Sequence, residues 1–120
     1  MKAKMTLKRF DAPDSTRNFP KGRFDGVTIG EMTIGRAEYE PGWVWSRDVG
    51  AASGQTLCQI EHHGMVVSGA ATAEFEDGTV LEMRAGDLFY IPPGHDSRVV
   101  GDEPYVSLHF SGAESYAKPK

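Results

Sequence analysis

The sequence predicts an all-β domain, and three observations carry that reading. Its 14 glycines and 7 prolines are spread along 120 residues, and frequent punctuation means short elements. Between the turn signals lie short runs rich in Val, Ile, Thr, Tyr and Phe, at the spacing of a β-sandwich or barrel. No window of a dozen or more residues keeps a 3.6-residue apolar period, so no long helix is expected.

Taken in order, residues 1–26 read as an irregular N-terminal arm, with turn-rich DAPD (Asp11 to Asp14) and NFPKG (Asn18 to Gly22). Phe10, Phe19 and Phe24 are its expected anchors on the barrel. Residues 27–120 form the barrel domain. Its first run is Val27 to Ile34, and its second, Arg36 to Glu40, ends at Pro41-Gly42. Gln55 to Glu61, Met65 to Val67, Ala71 to Glu76, Val80 to Met83, Leu88 to Ile91, Ser97 to Val100 and Tyr105 to Phe110 follow. Asp77-Gly78 between two alternating runs marks a tight hairpin, because such turns require positive φ.

Strand parity assigns faces. From Gln55 to His62 the face Thr56, Cys58, Ile60, His62 is the smaller and more apolar, hence the inner one. His63 then points outward. In the last run Val106, Leu108 and Phe110 form the apolar face, which puts Ser107 and His109 outside. Met65, Phe75 and Met83 read as core.

Composition bounds the function. Thirteen Lys+Arg against 17 Asp+Glu give a net charge of −4, which lacks the electrostatic footprint of a nucleic-acid binder. No apolar run approaches a membrane span, and the first ten residues carry no apolar stretch of a signal peptide. A single cysteine forms no internal disulfide, so the expected setting is the reducing cytoplasm. There is no GxSxG elbow, no phosphate-cradling glycine loop before a helix, and no paired-carboxylate pattern in the expected interior.

The stretch from Cys58 to Val100 resembles a cupin. CQIEHHGMVVSG is similar to the first cupin motif, and AEFEDGTVLEMRAGDLFYIPPGH carries the hairpin and the Gly-Asp lead into the second. Gly86, Pro92 and Gly94 keep the G(x)5PxG spacing. With PGWVWS (Pro41 to Ser46) before and GDEP (Gly101 to Pro104) after, most of the chain resembles a small single-domain cupin of a PGWxWS, CQ…HxG and IPPGHD subgroup. The resemblance implies a jelly-roll barrel of the double-stranded β-helix type, a ligand cavity inside it, and a homodimer.

It also locates the metal question. Metal-binding cupins offer HxH(x)3–4E(x)6G and then PxGxxH. Counting from Gly69 puts His62 at the glutamate position, Cys58 at the second histidine and Thr56 at the first. Counting from Pro92 puts Ser97 at the last histidine, with His95 two residues earlier. The usual three-His-one-Glu set is absent, and what remains is Cys58, His62 and His95. Thiolate and imidazole suit zinc first, with iron, nickel and copper behind it. The bland alternative for Cys58 is a small apolar filler, and for the two histidines a metal-free ligand site or satisfied core hydrogen bonds.

Trp45, Tyr90 and Arg98 are the candidate ligand-binding residues, Arg98 suiting a carboxylate or phosphate. Trp43 and Trp45 share a face if their run is extended, and either wall a pocket, pack against another subunit or serve as ordinary core packing. Asp96 either orients His95 or caps the Pro-Gly turn. Asp102 and Glu103 read as a solvated turn. Three functions remain open: a metal-dependent dioxygenase, isomerase or lyase acting on a small molecule; a metal-free ligand-sensing module; and a partner-binding domain. Fold alone does not choose between them.

Overall fold

A computed structural model of the chain describes residues 5–113 and 115–116. Among the described residues nine strands form two antiparallel sheets. The strands are β1 (Ser15–Phe19), β2 (Gly22–Ile29), β3 (Met32–Tyr39), β4 (His62–Ser68), β5 (Ala70–Phe75), β6 (Val80–Arg84), β7 (Leu88–Ile91), β8 (His95–Val100) and β9 (Tyr105–Ser111). The larger sheet runs β1-β2-β3-β9-β4-β7 and the smaller β6-β5-β8. Two single-turn helices, α1 (Trp45–Asp48) and α2 (Gly50–Ser53), bridge β3 and β4. Among the described residues no helix is long and apolar enough to cross a membrane.

Each sheet turns one face inward, and alternate residues fill the space between them. Phe24, Ala37, Tyr39, Val66 and Phe89 come from the larger sheet, and Ala71, Ala73, Met83 and Val99 from the smaller. Fully burying a side chain such as Phe24 contributes about 2–3 kcal/mol. Small residues sit where rings need room. A Cβ at Gly35 would collide with the Phe24 ring, and one at Gly64 with the Leu108 carbonyl and the Phe89 ring. The β5–β6 hairpin turns at Asp77-Gly78 as expected. Gly78 has φ 90°, and the Asp77 carboxylate accepts from the Thr79 N–H at 2.9 Å.

Three expectations change. The lead-in is irregular only as far as Asp14. From Ser15 it is paired strand, so a boundary at residues 26 and 27 falls inside β2. The Thr-rich run Val27 to Ile34 is two strand ends joined at Gly30, whose φ is 61°. Gln55 to Glu61 is not a strand, and among the described residues its ladder contact is an isolated bridge between Cys58 and His95. Backbone pairing at that bridge, rather than a regular strand, fixes which way Cys58 faces.

Candidate metal centre

The first motif meets the second at the Cys58–His95 bridge. The Cys58 N–H donates to the His95 carbonyl at 2.7 Å, and the N–H groups of Gly94 and His95 donate to the Cys58 carbonyl at 2.8 and 3.3 Å. Gly94 is left-handed, φ 94°, which lets the chain turn out of Pro92-Pro93 and present His95 at the start of β8. His62 opens β4 opposite Ile91, so its imidazole enters from the neighbouring sheet. All three side chains are buried, Cys58 to 1% and His62 to 2% exposure.

One donor atom from each of Cys58, His62 and His95 lies within 4.8 Å of the others. Cys58 Sγ is 3.5 Å from His62 Nε2. Sulfur and nitrogen ligands at 2.3 and 2.0 Å on one tetrahedral ion also stand about 3.5 Å apart. His95 Nδ1–H donates to the Pro92 carbonyl at 2.8 Å. That bond leaves the Nε2 lone pair free, the outer-shell arrangement of a metal-ligating histidine. The donor set therefore fits a thiophilic divalent ion.

Without an ion the site is neutral. Burial pushes the Cys58 thiol up to about 11, the Ile60 carbonyl contact offsetting part of this. Burial pushes His62 down to about 2, helped by repulsion from His109 and His95, and it also lowers His95. Ion binding to such a set displaces the thiol proton.

Beside this cluster lies a cavity of about 30 Å³ walled by Tyr39, Trp43, Trp45, Phe89, Tyr105, His109 and Tyr116 together with His62 and His95. Aromatic packing makes it small. Tyr39 and Trp43 stack with centroids 3.8 Å apart, and Tyr39 Oη donates to Tyr116 Oη at 2.7 Å. Tyr116 arrives from the C-terminal turn, which Arg17 of β1 latches by donating to the carbonyls of Ala113 (3.0 Å) and Tyr116.

Several expected site residues lie elsewhere. Tyr90 is 50% exposed on the outer face, its ring against His63 and its hydroxyl donating to Glu61 at 3.1 Å. Arg98 is exposed and paired with Glu74 at 2.8 Å. Neither reaches the cavity, because both occupy strand positions that alternate outward. Thr56 is exposed. Ser97 lines the cavity, but its hydroxyl donates to the Thr72 carbonyl at 2.6 Å. Asp96 neither orients His95 nor acts only within its own turn. It accepts from the Ser46 N–H and hydroxyl at 2.9 and 2.8 Å, tying α1 to β8. Trp43 and Trp45 both wall the cavity, although Trp45 starts a helix and the run is not extended.

His109 is the residue that parity misplaced. It is 6% exposed and faces inward with Tyr105 and Ser107, while Phe110 is 40% exposed. Its Nε2 sits 3.0 Å from Ser107 Oγ. The inner face of β9 is polar and aromatic because it borders the cavity. His109 pairs with Gly35 on one side and Gly64 on the other, and a Cβ at either would meet Phe24 or Phe89, the rings packed against its imidazole.

A family model for the EutQ-like cupin domain matches residues 37–108, from within β3 to within β9. The chain belongs to this cupin family. No curated protein matches it. Among solved structures it is similar to a protein of unknown function from Acidithiobacillus ferrooxidans, at 22% identity and TM-score 0.61, over 82% of this chain and 88% of that one. It is also similar to a putative ethanolamine utilization protein Q from Salmonella typhimurium, at 14% identity and TM-score 0.51, over 76% and 70%. A cupin-2 domain protein from Rhodospirillum rubrum aligns at 22% identity and TM-score 0.55, over 88% and 65%. At these identities the cupin's structural neighbours speak for the fold alone.

Proposed function

We propose that this cupin is a metal-dependent, small-molecule-binding protein whose barrel holds a divalent transition ion, zinc first, on Cys58, His62 and His95. The observation that carries the reading is the convergence of one sulfur and two imidazole nitrogens within 4.8 Å. Three protein ligands leave one tetrahedral position open, the pattern of a reactive rather than a structural site. A bound zinc ion would supply Lewis acidity at that position. The chain's own part is to hold the donors by the Cys58–His95 backbone bridge, to fix the His95 tautomer through Pro92, and to exclude bulk water with Trp43, Trp45 and Phe89. Because zinc is redox-silent, isomerase or lyase chemistry suits this donor set better than dioxygenase chemistry.

Elemental analysis of untagged protein tests the reading. The expected result is close to one zinc per chain, lost in Cys58→Ser and in His95→Ala. Protein that stays metal-free after incubation with zinc, yet binds an organic ligand, would support a sensing module without chemistry instead.

A further inference from the structure

Four buried side-chain nitrogens have no hydrogen-bond partner among the described residues: Trp43 Nε1, Trp45 Nε1, His62 Nδ1 and His109 Nδ1. All four belong to side chains that wall a single small cavity beside His62 and His95. Each of these residues is more than nine-tenths buried. An unsatisfied buried polar group costs about 1–3 kcal/mol, so four around one space point to something that satisfies them.

Their chemistry is one-sided. An indole nitrogen only donates. His62 Nε2 faces the Cys58 sulfur, and with the proposed ion on Nε2 the ring proton is on Nδ1. Ser107 Oγ lies 3.0 Å from His109 Nε2, and in the tautomer in which that nitrogen accepts, the ring proton sits on Nδ1. The side chains that wall the cavity thus carry four buried nitrogens without a partner among the described residues, and no carboxylate lines it. We propose that the cavity is a site for a small monovalent oxyanion, or for the carboxylate end of a small acid, held by the indole N–H groups of Trp43 and Trp45 with His62 and His109.

Size and charge agree with this. A water needs about 10–15 Å³ of such space. The cavity's roughly 30 Å³ admits two waters or one group the size of a carboxylate. The inference rests on the metal reading for its charge balance. A divalent ion on one thiolate and two neutral imidazoles leaves one positive charge in a buried site, and one monoanion cancels it. The ligand class is thereby narrowed to acids whose recognised end is a single carboxylate or an inorganic equivalent.

The chain has two tryptophans, so ¹⁵N-indole labelling gives two side-chain N–H resonances, both from the proposed site. Formate is titrated into zinc-loaded protein at constant ionic strength, with formamide as the neutral counterpart of the same shape. Both resonances should shift with formate, saturably and with one midpoint, and stay in place with formamide. Trp45→Phe keeps an aromatic ring, though a smaller one, and removes one donor, so it should weaken formate binding about tenfold. His109→Phe, seated among Phe24, Phe89 and Tyr116, should weaken it similarly and serves if the tryptophan variant does not fold. Indole signals that ignore formate, or move equally with formamide, in protein shown to hold zinc overturn this inference alone. Protein that holds no zinc overturns it together with the metal reading.

Discussion

His62 and His63 are neighbours in the chain and opposites in the fold. His62 is buried between the sheets, 3.5 Å from the Cys58 sulfur and ringed by His95, His109 and Tyr116. His63 stands outside, with Nδ1 2.7 Å from the Ser111 hydroxyl and its ring beside Tyr90. The two residues share identity and backbone conformation. What separates them is the pleat of β4, which sends one imidazole into a low-dielectric, donor-rich interior and the other into water. Residue type therefore says little about chemistry here, and face says nearly everything.

The sharpest way to break that contrast is metal content. His62→Ala is expected to abolish zinc retention, and His63→Ala to keep it near one per chain, as read by elemental analysis after dialysis. The reverse result would mean that β4 presents its other face to the site.

Acid gives the next largest effect. Burial holds His62 down to about 2 and His109 down to about 3, both below an unfolded imidazole near 6.5. The unfolded chain thus binds more protons than the folded one once pH falls below about 6.5, and stability rises with pH across that window. Metal-free protein should keep full stability above about pH 6.5 and lose it steadily as pH drops toward 3. Urea midpoints at several pH values would measure this. His109→Phe should flatten the dependence, and His63→Ala should leave it as it is.

Smaller effects separate the inner and outer tyrosines. Tyr116→Phe removes the acceptor for the buried Tyr39 hydroxyl and should cost about 1–2 kcal/mol in urea unfolding. Tyr90→Phe, at the exposed face, should leave the midpoint unchanged. Smallest is Arg98→Ala. Its exposed pair with Glu74 is worth less than about 1 kcal/mol, and zinc content should not move.

The same contrast explains what was legible in the sequence. The all-β class, the Asp77-Gly78 hairpin and the trio Cys58, His62 and His95 rest on turn chemistry and motif spacing, which are local signals. His109 was not legible by parity. The rule assumes that the more apolar face of a strand is the inner one, and β9 turns Ser107 and His109 inward while leaving Phe110 partly in water. Tyr116 was invisible for another reason. It is held at the site by Tyr39 and by the latch from Arg17, contacts between residues far apart in the sequence that no local pattern encodes. Tyr90 and Arg98 looked like mouth residues from motif proximity, yet the pleat decides direction one residue at a time.

The bridge between Cys58 and His95 is made of main-chain atoms on both sides. Position 58 is thus addressed by the peptide backbone whatever side chain stands there. Exchanging that side chain for another donor, such as histidine or aspartate, should retune metal preference without relocating the centre, which makes this barrel a natural frame for ligand-swap engineering.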